Sequence, residues 1–165
     1  MIARDDLFKL PTSDVALLFA SLSRFFSLND NLDPARFQKF KLMFTDKLVG
    51  EEELSVQDVL ALIIPLAAEE ITRDEVWDKF ADIIISNEHK IVSDRFQSCS
   101  NLAWAFAKTN YQGKHSKLFW SMIERVYKEE LDQLRSNMYQ PVHHSATVLS
   151  SITMALKYQT KGMSD

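Results

Sequence analysis

The sequence predicts an all-α protein that folds as a single domain, and three of its features support that prediction. Its 165 residues, 46% of them apolar and 25% charged, are enough for one domain with a hydrophobic core and too few for two. Only 3 glycines and 4 prolines are present, whereas strands joined by tight turns need many such residues. Apolar residues recur at helical spacing along most of the chain. We therefore expect helices with short polar connections over residues 1–165.

The first three predicted helices are marked by residues that begin or end helices. Helix one starts after Pro11, where either of the next two residues can cap it, and ends at the segment NDNLDP. Helix two follows Asp33 and Pro34, a pair suited to a cap and a first turn, and ends at Gly50. Helix three starts near Ser55. We expect Pro65 to kink or shorten it, because proline removes a backbone donor.

Four more helices are predicted after residue 70. The fourth opens on the pattern Thr72-Arg73-Asp74-Glu75, in which threonine and glutamate can form a capping box. The fifth follows Ser93 and contains the segment QSCSNLAWAFAKTNY, and the sixth runs from about residue 114 to residue 134. The seventh follows Pro141. Together with the first three, they give about seven helices in a chain with no predicted strand.

Apolar positions of alternate helices recur at a nearly fixed distance, 42, 42 and 47 residues in the odd helices and 40 and 42 in the even ones. The odd series is Leu18, Leu60, Leu102 and Leu149, and the even series is Phe37, Trp77 and Phe119. Such a period is typical of α-solenoids built from helix hairpins. We predict about three and a half repeats, in units 12–50, 55–90, 93–135 and 141–160. An irregular helical bundle is the alternative.

The fifth and sixth helices resemble one unit of the degenerate helical repeats of organellar proteins. Asn101 to Lys108, NLAWAFAK, and then Leu118, Phe119 and Ile123 follow the pattern of the octatricopeptide and heptatricopeptide families and the related FAST-kinase-like and RAP-domain proteins. The similarity covers about 30 residues. It implies a mitochondrial or plastid setting and an RNA-related ancestry.

Charge and cysteine content narrow the classes of function. Up to Lys90 the chain has 10 basic and 17 acidic residues, and after it 9 and 6, so only the second half favours a polyanion. Cys99 is the one cysteine, which excludes an internal disulfide. The longest apolar run, Val59 to Ala68, is about half of a membrane span. No targeting presequence is recognisable in the first ten residues, where two aspartates occur.

The end of the fifth helix raises the question of a nucleic-acid contact. Trp104 lies among alanines with apolar groups on both sides, which favours a core position over a base-stacking platform. Cationic and aromatic residues follow it and could contact phosphates and a base, although a solvated helix corner is the alternative reading. The candidate RNA-binding residues are Lys108, Tyr111, Lys114, His115, Lys117 and Arg125.

Catalytic, metal and cofactor sites are not predicted. The chain has four histidines but no second cysteine to complete a typical structural zinc site. Its three glycines are isolated, so no phosphate-binding loop is present. Cys99 lies on an apolar stripe without a neighbouring base. We expect no enzyme activity and no cofactor.

Two functions of different class remain. The first is a non-catalytic scaffold subunit of a large mitochondrial multiprotein assembly, a ribosome or a respiratory or ATP synthase complex, that binds other protein subunits. Its candidate docking residues lie at the ends of the array: Phe8, Leu10, Ile152 and Met154. The second is an organellar RNA-binding module that uses the basic carboxy-terminal half.

Overall fold

A computed structural model describes residues 6, 9–28, 33–91 and 95–136, and these residues form an all-α fold. Within them we number six helices along the chain. One 3-10 turn, Glu88–Lys90, lies between the fourth helix and the fifth. The helices are α1 (Thr12–Ser27), α2 (Pro34–Gly50), α3 (Val56–Ala68), α4 (Asp74–Ser86), α5 (Arg95–Lys108) and α6 (Ser116–Ser136). The predicted seventh helix, with the unit 141–160, lies outside the described residues.

The helices pack in two rows. In one row α1 contacts α3 and α3 contacts α5, and in the other α2 contacts α4 and α4 contacts α6. Within each hairpin the two helices also contact each other, so α1 packs on α2, α3 on α4 and α5 on α6. The hydrophobic core lies between the rows.

Aromatic rings fill both ends of this core. In the first hairpin Phe19 of α1 stacks on Phe44 of α2 with 4.5 Å between ring centroids. In the last hairpin Phe106 of α5 stacks on Phe119 of α6 at 4.0 Å and meets the edge of Trp77 at 4.9 Å. Trp104 is half-buried and packs against the same core, as the sequence predicts.

Helix starts agree with the sequence at α2 and α3, whereas the side-chain cap predicted just after Pro11 does not form at α1 and the start of α4 differs. Asp33 caps α2 by accepting a hydrogen bond from the backbone N–H of Ala35, and Ser55 caps α3 in a reciprocal capping box with Asp58. The capping box predicted at residues 72–75 is wrong. Position 73 is the N-cap of α4, and its arginine side chain pairs with Asp46 at 2.7 Å and makes no cap.

The carboxyl end of α3 contains a left-handed residue that is not glycine. The helix continues through Pro65 and ends at Ala68, and Glu70 follows with φ of 54°. The backbone N–H of Glu70 donates to the carbonyl of Ala67, and that of Ile71 donates to the carbonyl of Leu66. This pair of bonds is a Schellman motif, which satisfies two carbonyls of the last turn.

The same motif recurs 40 residues later at the end of α5. Asn110 has φ of 52° and donates its N–H to the carbonyl of Ala107, while Tyr111 donates its N–H to the carbonyl of Phe106. The ring of Tyr111 folds back on the ring of Phe106, with 5.2 Å between centroids. Helices α3 and α5, which are neighbours in one row, therefore end in the same way.

Glu70 gives a direct test of this cap. A left-handed conformation is strained for glutamate and tolerated by asparagine, which already occupies the equivalent position 110. We expect Glu70→Asn to raise the free energy of unfolding by about 0.5–1 kcal/mol in a urea titration. The control is Glu70→Gln, which removes the same charge and the same contact with Lys108 but, unlike asparagine, is not favoured in the left-handed conformation. A Glu70→Asn protein no more stable than this control would contradict the assignment.

Candidate functional site

The turn between α5 and α6 brings together five of the six residues predicted to bind RNA. Lys108 ends α5, Tyr111 and Lys114 lie in the turn, and His115 and Lys117 lie at the start of α6. We call this region the basic corner. Arg125, the sixth candidate, lies two turns further along α6, where it pairs with Glu88.

Tyr111 is buried in the basic corner, with only 3% of its surface exposed. Its hydroxyl donates to Oδ1 of Asp78 on α4 and accepts from the backbone N–H of His115 at 3.2 Å. Burial, followed by the hydrogen bond to Asp78, raises the pKa of Tyr111. Both the ring and the hydroxyl of Tyr111 are engaged inside the protein, so in this structure the ring is not exposed to a base, and His115 is the other aromatic candidate.

Gly113 permits this arrangement. A Cβ atom at position 113 would overlap Oδ1 of Asp78 and the ring of Tyr111. The Asp78 oxygen could move, but the buried ring has little room to do so. The turn thus needs glycine for close approach to Tyr111, at a position that sequence reasoning left without a role.

Acidic residues from the preceding hairpin neutralise the basic corner. Nζ of Lys108 lies 3.4 Å from Oε1 of Glu70, and Nε2 of His115 lies 3.8 Å from Oδ1 of Asp82. Lys114 and Lys117 are exposed. Lys108 and these two lysines share the corner with three carboxylates, those of Glu70, Asp78 and Asp82. The three lysine charges are therefore matched in number by carboxylates.

Arg125 belongs to a second polar cluster that the sequence did not suggest. Glu88 accepts from Arg95 at 2.7 Å through one carboxylate oxygen and from Arg125 through the other. Arg95 also donates to Glu129 at 3.0 Å. Glu88, Arg95 and Arg125 line an open cleft of about 550 Å³ beside the 3-10 turn. Because two carboxylates already balance the two arginines, the cluster ties α5 and α6 to that turn.

Two buried lysines pair with carboxylates, Lys41 between the first two hairpins and Lys47 within the first. Nζ of Lys41 on α2 lies 2.6 Å from Glu69 at the end of α3, and the same carboxylate accepts from the hydroxyl of Ser23 on α1. Nζ of Lys47 lies 3.0 Å from Glu51, which also accepts from the hydroxyl of Thr12 at 2.7 Å. The hydrogen bonds from Thr12 and Lys47 lower the pKa of Glu51. Each buried charge thus has a partner, as low-dielectric surroundings require.

A third lysine caps a helix across the hairpin boundary. Nζ of Lys79 on α4 donates to the carbonyls of Leu48 at 3.0 Å and Val49 at 3.2 Å, and also to that of Glu51. A cation at this place satisfies free carbonyls and interacts favourably with the helix dipole of α2. Burial lowers the pKa of Lys79. We assign these three lysines to stability.

Only one of the four predicted docking residues lies in the part of the chain that the structure describes. Leu10 is exposed, and Phe8, Ile152 and Met154 lie outside the described residues. Sequence reasoning missed a set of exposed apolar side chains that belongs to α1: Leu17, Phe25 and Leu28. Leu42 on α2 and Leu118 on α6 are also exposed. Helical spacing could have found the α1 set, since its members recur along one side of the helix.

Comparison with protein-family models, curated proteins and solved structures finds no match to this chain. The resemblance of residues 101–123 to organellar repeats therefore stays a prediction. Among the helices of the described part of the chain, none is both long and apolar enough to cross a bilayer.

Tyr111 can be tested through the pH dependence of stability. We expect Tyr111→Phe to lower the free energy of unfolding by about 1.5–3 kcal/mol at neutral pH, because Asp78 loses its donor. The folded state keeps the phenol protonated above pH 10, where an exposed tyrosine ionises, so the wild-type advantage is present below about pH 10 and shrinks as pH rises. Urea titrations of both proteins from pH 7 to 11 measure this difference.

Tyr127→Phe is the control for loss of a hydroxyl. The Tyr127 hydroxyl lies 3.4 Å from Oγ of Ser100, a longer contact, so its removal should cost less at neutral pH. If Tyr111→Phe were as stable as the wild type at neutral pH, the bond to Asp78 would have no energetic role.

Proposed function

We propose that this protein is a non-catalytic helical-repeat scaffold, a subunit of a large mitochondrial multiprotein assembly such as a ribosome or a respiratory or ATP synthase complex. It acts by docking other protein subunits on its helical surfaces. The observation that carries the proposal is the exposure of large apolar side chains on the first hairpin, at Leu10, Leu17, Phe25, Leu28 and Leu42. Exposed large apolar side chains grouped on one helix hairpin favour a protein–protein interaction site. The mitochondrial setting rests on the resemblance to organellar repeats.

The scaffold is a short α-solenoid. Each hairpin packs on the next through both rows of helices, which is the contact pattern of stacked repeats. The predicted ladder positions Phe37, Trp77 and Phe119 are all buried in the even row. The matching Schellman motifs of α3 and α5 add a second period of 40 residues. Counting the unit predicted from the sequence at 141–160, which lies outside the described residues, we propose about three and a half repeats.

RNA binding through the basic corner is the second candidate, and the exposure of Lys114 and Lys117 favours it. Against it, Tyr111 is buried and Lys108 has a carboxylate partner. An RNA phosphate would have to compete with Glu70 and approach Asp82. Both carboxylates should weaken phosphate binding, because they carry the same sign of charge as the phosphate. We therefore place protein docking first.

Native purification tests the proposal. The tagged protein is isolated from its source mitochondria, with and without ribonuclease, and the accompanying proteins are identified by mass spectrometry. We expect a fixed set of protein subunits that survives ribonuclease, because direct protein contacts do not depend on RNA. Complete loss of these subunits after ribonuclease, or absence of the protein from mitochondria, would overturn the proposed assembly.

The RNA alternative makes a separate prediction. If the basic corner binds phosphates, Lys114→Glu combined with Lys117→Glu should lower RNA affinity by at least about tenfold in a filter-binding titration, and wild-type affinity should fall steeply with salt. The control replaces Lys39 and Lys128, which are also exposed, with glutamate. We expect no specific RNA binding by any of these proteins. Tight wild-type binding that only the corner variant loses would reverse the order of the two candidates.

A further inference from the structure

The outer face of α1 is the most apolar exposed helix face in the described part of the chain. Leu17 is 69% exposed, Phe25 53% and Leu28 73%. The opposite face of α1, with Val15 and Phe19, is fully buried against α2 and α3. Single exposed apolar residues are common on soluble proteins, but three on one stripe of one helix form a patch. We call this stripe, residues 14–28, the α1 outer face.

The α1 outer face is arranged symmetrically about Ser21. Leu17 and Phe25 lie four residues before and after Ser21, and all three are exposed on the same side of the helix. If two copies of α1 cross antiparallel at Ser21, Leu17 of each copy meets Phe25 and Leu28 of the other. The small serine lets the two helix backbones come close at the crossing point. Such a contact is isologous, which is the usual form of a twofold dimer.

Charge along this face favours the antiparallel arrangement. Asp14 is exposed near the amino end of α1, and Arg24 is exposed towards its carboxyl end. An antiparallel pair of helices brings the acidic end of each copy beside the basic end of the other, whereas a parallel pair would bring like charges together. The face is therefore complementary to itself in charge.

We propose that a second copy of this chain covers the α1 outer face, so that the protein forms a twofold dimer with Ser21 at its axis. The exposed side of α6 has a different composition. Among the α6 side chains that the structure describes, Leu118 is the exposed large apolar one, and charged residues are exposed along the same helix: Lys117, Glu124, Arg125, Lys128 and Glu129. The dimer thus uses Leu17, Phe25 and Leu28 of the first hairpin and leaves Leu10 and Leu42 exposed for the other subunits of the proposed scaffold.

Cross-linking at the axis tests the geometry. We expect S21C in the full 165-residue chain to form a disulfide-linked dimer with oxidised glutathione, because helices packed at 8–10 Å bring the two positions within disulfide reach. The two introduced thiols lose two protons and two electrons to the oxidant. The control is S121C, an exposed serine of α6, and Cys99 does not interfere because it is buried. Cross-linking of S21C no faster than that of S121C would overturn the proposal.

Sedimentation equilibrium tests the energetics. We expect the wild type to be in a concentration-dependent monomer–dimer equilibrium. Leu17→Glu should raise the dissociation constant of the dimer more than about tenfold, because in a twofold dimer the substitution removes the Leu17 contact from both copies. Leu118→Glu, with a leucine of similar exposure, should leave the constant unchanged. A monomeric wild type would overturn the proposal. So would a Leu17→Glu variant that dimerises as the wild type does.

These outcomes are separate from those of the scaffold proposal. A monomeric protein that purifies with a ribonuclease-resistant set of subunits, and loses them on Leu17→Glu, would refute the dimer and assign the α1 outer face to another protein. A dimeric protein without other subunits would refute the scaffold and retain the dimer. Circular dichroism at 222 nm of each variant confirms that the helices are intact.

Discussion

Close packing of α5 against α3 is the constraint on which the rest of the structure depends. This contact joins the last hairpin to the middle one, and it is the most extensive contact between any two described helices. Ala103, Ala105 and Ala107 of α5 are buried, as are Leu62 and Leu66 of α3, and small alanine side chains allow helix backbones to come close. With the two backbones close together, the large rings must project towards the other row. Phe106 does so, and its contacts with Trp77 and Phe119 then fix the positions of α4 and α6.

Polar groups at the borders of the core then set how the helices align along their axes. Apolar packing alone is tolerant of sliding, whereas a buried charge must meet a partner at one place. The Lys41–Glu69 pair joins α2 to the end of α3, and Lys79 joins α4 to the end of α2. Tyr111 does the same between the last turn and Asp78 on α4. Each of these links crosses from one helix to another, so together they hold the hairpins in one register.

Local sequence signals predicted the helices well because they act within a few residues. Asp33 and Pro34 begin α2 as expected, and Gly50 ends it. At α4 the local signal failed because Arg73 finds Asp46, which is distant in sequence, and no capping box forms. At the candidate site the sequence did not indicate the partners of Tyr111 and Lys108, because the preceding hairpin contributes them. A pattern read along one helix carries no information about which carboxylate a neighbouring helix will supply.

The uneven charge of the chain has a structural explanation that bears on the choice of function. The first 90 residues are acidic and the remainder basic, which by itself favours a polyanion-binding second half. In the folded protein the two halves pair with each other: Glu70 meets Lys108, and Glu88 meets both Arg95 and Arg125. Three of the nine basic residues of the second half are therefore paired with carboxylates of the first half, and a nucleic acid would have to displace those carboxylates to reach them. An apolar surface needs no such exchange, and for that reason we propose that recognition uses the exposed side chains of the first hairpin.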